Sequence, residues 1–153
     1  MMYRKIMGLL LVVCVAITFL GVASAAEVVV WGEKFNVPDD FNKNEDVSYS
    51  SKGLTSSEES AFYENETDFI NIYICSSNGI QLTTSQSPEY EDKTIAGIEG
   101  KYCEDNATGK FFEYIHDDKL ISVQISNNST LTFEDILITP SSDDSGSSFN
   151  LFG

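Results

Sequence analysis

Ile70, Ile72 and Ile74 fall at every second position between Phe69 and Cys75, and Ile121, Val123 and Ile125 repeat the spacing between Leu120 and Ser126. Side chains alternate between the two faces of an extended strand, so each run buries one face and leaves the other polar. Asn71, Tyr73 and Cys75 share the second face of the first run, as Ser122, Gln124 and Ser126 do in the second. Two such strands need a sheet with one apolar side, and helical alternatives fail on the period.

Turn chemistry frames further strands. Glu27–Trp31 is β-branched and aromatic, Gly32 breaks it, Lys34–Val37 follows, and Pro38-Asp39-Asp40 turns the chain. Val47–Ser50 and Ala61–Tyr63 read as short strands, separated by a polar loop over 51–60 with room for a hairpin. Ser76-Ser77-Asn78-Gly79 is a turn. Within the weakly patterned 80–93, Pro88-Glu89-Tyr90-Glu91-Asp92 is expected to open one short helix. Thr94–Cys103 reads as one strand, with Gly97 and Gly100 marking a bulge or close backbone approach. Turns at Asn106–Gly109 and Asp117-Asp118 join it to Lys110–His116 and then to Leu120–Ser126, a three-strand meander with which the Phe69 strand pairs. Thr132-Phe133-Glu134-Asp135 has the capping-box pattern of a short helix running to Ile138 and stopped by Pro140. The expected class is α+β: an antiparallel meander with one or two short helices packed on one face.

The N-terminus carries a different signal. Arg4 and Lys5 precede an apolar run from Ile6 to Leu20, Gly21 interrupts it, and Ala23-Ser24-Ala25 offers a small-x-small cleavage site. This is the layout of a secretory signal cleaved after Ala25. Extended to Ala26, the run reaches the ~20 residues that span a bilayer, so a retained anchor is the alternative. Cys14 sits mid-run behind branched Val13, the wrong place for a lipid-bearing cysteine. The expected organisation is a signal peptide over 1–25, one domain over 26–140, and a disordered Ser/Asp/Gly-rich tail over 141–153 that ends in Phe149, Leu151 and Phe152. Extracellular or cell-surface location follows, or tethering by the N-terminal segment.

Charge then excludes partners. Without Arg4 and Lys5, seven basic side chains face 24 acidic ones, a net charge of −17 on the exported part. Arg4 is the only arginine. Such a body is repelled by nucleic acid and by anionic membrane surfaces. Cations, basic proteins and uncharged envelope glycans remain as partners.

Cys75 and Cys103 are the two cysteines beyond the signal, both on the wetter face of their strands, and a disulfide between them is expected in an exported domain. Asn65, Asn106, Asn127 and Asn128 head Asn-x-Ser/Thr sequons and are candidate glycan acceptors in surface loops.

Two stretches carry a resemblance. Phe35-Asn36-Val37-Pro38-Asp39-Asp40-Phe41, followed by Tyr63-Glu64-Asn65 and a hydrophobic strand, is similar to the opening of small exported domains of the PsbP/Mog1/DcrB-like type. Thr94-Ile95-Ala96-Gly97-Ile98-Glu99-Gly100-Lys101-Tyr102, then an aromatic strand, a charged turn and another strand, resembles uncharacterised exported proteins of methanogenic archaea. The resemblance implies a compact sandwich of sheet and helix and no activity. The PsbP-like pattern also has a long mid-chain helix, for which 80–93 is a poor match.

Catalytic and cofactor motifs are sparse. His116 is the only histidine, which excludes multi-histidine zinc sites, and its place before Asp117-Asp118 reads as a solvated turn. No nucleophile elbow and no phosphate-cradling glycine loop occurs, and no cofactor is expected. Glu64, Glu66 and Asp68 give the best local density of oxygen ligands and are the metal candidates. The expectation is a non-catalytic exported surface or envelope protein. The alternatives are divalent-cation binding and hydrolysis of envelope polymer by a carboxylate pair.

Overall fold

The structure, a computed structural model, describes residues 24–139. The expected signal and the Ser/Asp/Gly-rich tail lie outside these residues, apart from the last positions of the cleavage site.

Among the described residues, ten strands and one helical turn are formed: β1 (Ala25–Val30), β2 (Glu33–Pro38), β3 (Asn42–Lys43), β4 (Tyr49–Lys52), β5 (Ser56–Glu64), β6 (Phe69–Ser77), β7 (Glu91–Ile95), β8 (Ile98–Asp105), β9 (Gly109–His116), β10 (Lys119–Ile125) and α1 (Phe133–Ile136). An eight-stranded antiparallel sheet runs β3-β5-β6-β10-β9-β8-β7, with β4 also paired to β5. The two alternating strands meet at its centre, where Ile70, Ile72 and Ile74 lie opposite Ile125, Val123 and Ile121. All six are essentially inaccessible.

The β1–β2 hairpin covers the apolar face. Val30, Phe35 and Val37 join Ile72, Phe112, Tyr114 and Val123 in one core, and α1 adds Phe133 and Ile136. Phe133 meets Tyr102 edge-on at 6.1 Å and Phe112 at 5.9 Å. Burying each such side chain contributes ~1.5–3 kcal/mol against the entropy of ordering the chain. The capping box forms as expected, with Thr132 N and Oγ1 both donating to Asp135 Oδ2 at 2.8 and 2.9 Å.

The described residues therefore form a β-rich antiparallel meander with very little helix. Pro88–Asp92 opens no helix: the backbone turns once at Pro88–Glu89, and Glu91 and Asp92 begin β7. Thr94–Cys103 is two strands rather than one. Ala96 and Gly97 adopt successive positive φ angles of 52° and 79°, a type I′ hairpin. Gly100 is a close approach, as expected: a Cβ there would stand 2.4 Å from the Glu113 carbonyl oxygen. The polar stretch 51–60 contains the β4–β5 hairpin.

Candidate functional site

Three strands carry one polar residue each at the end of an otherwise apolar stripe. Glu33 shares the inward side of β2 with Phe35 and Val37, His116 follows Phe112 and Tyr114 on β9, and Lys119 precedes Ile121 and Val123 on β10. Two type I′ turns bring them together, Trp31-Gly32 with φ of 45° and 83° and Asp117-Asp118 with φ of 48° and 59°. His116 and Lys119 flank the second turn and face each other across the hairpin. The Glu33 carboxylate, only 12% exposed, accepts from Lys119 Nζ through Oε1 and lies 2.8 Å from His116 Nδ1 through Oε2. A carboxylate only accepts, so Nδ1 carries the proton in this contact.

His116 is thus no solvated turn residue, because its ring is two-thirds covered and held by an acid 83 positions away. One carboxylate bridging two donors ties the covering hairpin to the sheet. It also raises the pKa of the Tyr114 phenol, which burial already pushes up. Single donor atoms of Glu33, His116 and Asp117 lie within 4.8 Å of one another, the only such triple among the described residues. A divalent cation there would need Lys119 to yield its hold on Glu33.

The expected metal candidates do not converge. In the β5–β6 turn, Asn65 Oδ1 accepts from Thr67 N and Asp68 N, and Asn65 Nδ2 donates to Asp40 Oδ2. Glu64 turns to Asn44 Nδ2, and Asp68 accepts from Ser126 Oγ at 2.7 Å. Glu64, Glu66 and Asp68 form no common cluster among the described residues.

The disulfide does not form either: Cys75 and Cys103 are both free. They do share the face away from the hairpin, but β10 and β9 lie between their strands. Three strand steps of ~4.8 Å put them on the order of 14 Å apart across the sheet alone, and a disulfide needs Cα atoms within ~7 Å. Burial pushes both thiols up, which disfavours the thiolate.

That second face is covered by neither the hairpin nor α1, although Ser60 and Cys103 on it are buried. One register line crosses six strands: Ser60, Tyr73, Ser122, Glu113, Lys101 and Asp92. A parallel line holds Phe62, Asn71, Gln124, Phe111 and Cys103. Phe62 and Phe69 stack at 5.4 Å beside it. Tyr73 donates its hydroxyl to Glu58 at 2.8 Å. Segment 80–90 crosses the β8–β9 end, where Glu113 accepts from Ser85 N at 2.9 Å and Tyr90 Oη at 3.4 Å. Burial pushes the Tyr90 phenol up to about 12, with the Glu113 charge adding to it.

No protein-family model, no curated protein and no solved structure matches this chain. No helix among the described residues is long and apolar enough to cross a membrane.

Proposed function

We propose that the chain is an exported, non-catalytic module of the cell surface or envelope, which uses the open face of its sheet to bind an uncharged envelope glycan. The observation that carries this reading is the pair of register lines through Tyr73 and Ser122 and through Asn71, Gln124 and Phe111. Sugar rings offer C–H faces to aromatic side chains and hydroxyls to amides, hydroxyls and carboxylates, and this surface interleaves both kinds of partner. The N-terminal layout supports export, and the charge of the exported part favours a neutral ligand over a polyanion. Side chains suited to acid–base or nucleophilic work are engaged otherwise: Glu33 bridges His116 and Lys119, Glu113 holds segment 80–90, and both thiols are pushed up. The helical turn α1 on the covered face supports an α+β class in its most β-dominated form.

Co-sedimentation with insoluble envelope polysaccharide tests the reading. The exported chain is expected in the pellet, and a Phe111→Ala/Gln124→Ala variant in the supernatant. Equal partition of the two would count against a site on this face.

A second reading, divalent-cation binding, is favoured by the convergent donors of Glu33, His116 and Asp117. Calorimetric titration with Zn²⁺ tests it, since binding lost in His116→Ala supports the reading and absence of heat in the parent chain removes it.

A further inference from the structure

The four sequons gather at one end of the molecule, and the fold treats their asparagines differently. Asn65 lies in the β5–β6 turn, Asn106 in the β8–β9 turn, and Asn127 and Asn128 directly after β10. Cross-links between these turns place them together: Ser126 Oγ reaches Asp68, and Gln124 Nε2 donates to the Thr108 carbonyl. Asn65 Nδ2 donates to Asp40, and its Oδ1 organises the turn. Asn127 Nδ2 donates to the Asp105 carbonyl at 2.7 Å, and its Oδ1 is buried. Asn106 and Asn128 are exposed, and neither side chain forms a hydrogen bond among the described residues. The hydroxyl residues that complete their sequons, Thr108 and Thr130, are exposed too.

We infer that Asn106 and Asn128 are the two N-glycan acceptors of the folded domain, while Asn65 and Asn127 are structural asparagines that remain unmodified. The donor class is an oligosaccharide joined through its anomeric carbon to a lipid phosphate. Asparagine Nδ2 forms the new bond to that carbon and gives up one proton to a base of the host's transferase. The bond from the anomeric carbon to the phosphate oxygen breaks, and the lipid phosphate leaves with the electron pair. The step is a substitution with no net oxidation or reduction. An amide already donating inside the fold cannot approach such a donor without breaking its turn, whereas Asn106 and Asn128 can. Two glycans here would sit at the end of the sheet where Gln124 meets the Thr108 carbonyl.

The overlapping sequons allow a sharp test, because Ser129 completes the sequon of Asn127 and Thr130 that of Asn128. The full-length gene is expressed in its native host, and the product is analysed by intact mass and peptide mapping. Thr108→Ala and Thr130→Ala should each remove one glycan mass, the double variant should carry none, and Ser129→Ala should match the parent. Loss of glycan in Ser129→Ala, a glycan on Asn65 or Asn127, or a parent chain without glycan would each overturn the inference. The N-terminal peptide in the same spectra reports export separately: an Ala26 start on a bare chain overturns the glycan sites but not the exported-module reading.

Discussion

Glu33 Oε2 lies 2.8 Å from His116 Nδ1, a contact between residues 83 positions apart that joins the covering hairpin to the sheet. With Lys119 on the other oxygen, the carboxylate balances two donors in a site little exposed to water. Glu33→Gln should cost about 1–3 kcal/mol, since it leaves Lys119 without its counter-charge. Denaturant midpoints of Glu33→Gln, His116→Ala and the double variant measure the coupling. Additive single effects would show that the Glu33–His116 contact contributes nothing.

Gly100→Ala should destabilise by about 1–3 kcal/mol or prevent folding, because the new methyl would stand 2.4 Å from the Glu113 carbonyl and 2.7 Å from the Phe112 ring. Gly97→Ala, where φ is +79° and space is open, should cost about 1 kcal/mol. Thermal melts of the two variants should rank in that order, and the reverse ranking would contradict the β8–β9 register.

Much of this fold is written in local pattern. The alternation of Ile70, Ile72 and Ile74 and the Thr132–Asp135 capping box both formed, but the helix stops at Ile136 rather than Ile138, because Leu137 turns extended and bridges to Phe35. Ala96-Gly97 was hidden because alanine is a poor type I′ residue, so one apparent strand concealed a hairpin. The full length of β5 was masked by Ser and Glu on its open face and by its pairing with the exposed edge strand β4. The cysteines did share a face, but strand order sets their distance, and no local pattern encodes that order. Glu33 left a faint trace as the charged member of an inward stripe with Phe35 and Val37. Its partners on β9 and β10 became visible only when the sheet was assembled.

Reducing agent should leave the melting temperature unchanged, and a thiol reagent should count both Cys75 and Cys103 in the denatured, unreduced exported chain. A midpoint lowered by several degrees on reduction would contradict the strand order, because a native disulfide contributes about 2–4 kcal/mol.

Alkaline pH should weaken the fold. Burial raises the phenols of Tyr73 and Tyr114, and it pushes Tyr90 and Tyr102 up to about 12. A folded-state pKa above the unfolded ~10 means that the folded chain holds its protons longer. Stability from these groups is therefore complete below pH ~10 and declines as pH rises through the folded values. Denaturant midpoints at pH 8 and pH 11 should differ in that direction, and equal midpoints would contradict the burial of these rings.

The most direct test of the glycan-binding face is an NMR titration of the ¹⁵N-labelled exported chain with soluble, uncharged oligosaccharides from envelope polysaccharide. Shifts concentrated on Asn71, Tyr73, Phe111, Ser122 and Gln124, and abolished by Phe111→Ala/Gln124→Ala, are the predicted result. Shifts confined to the Glu33–His116 end, or none at millimolar sugar, would contradict it.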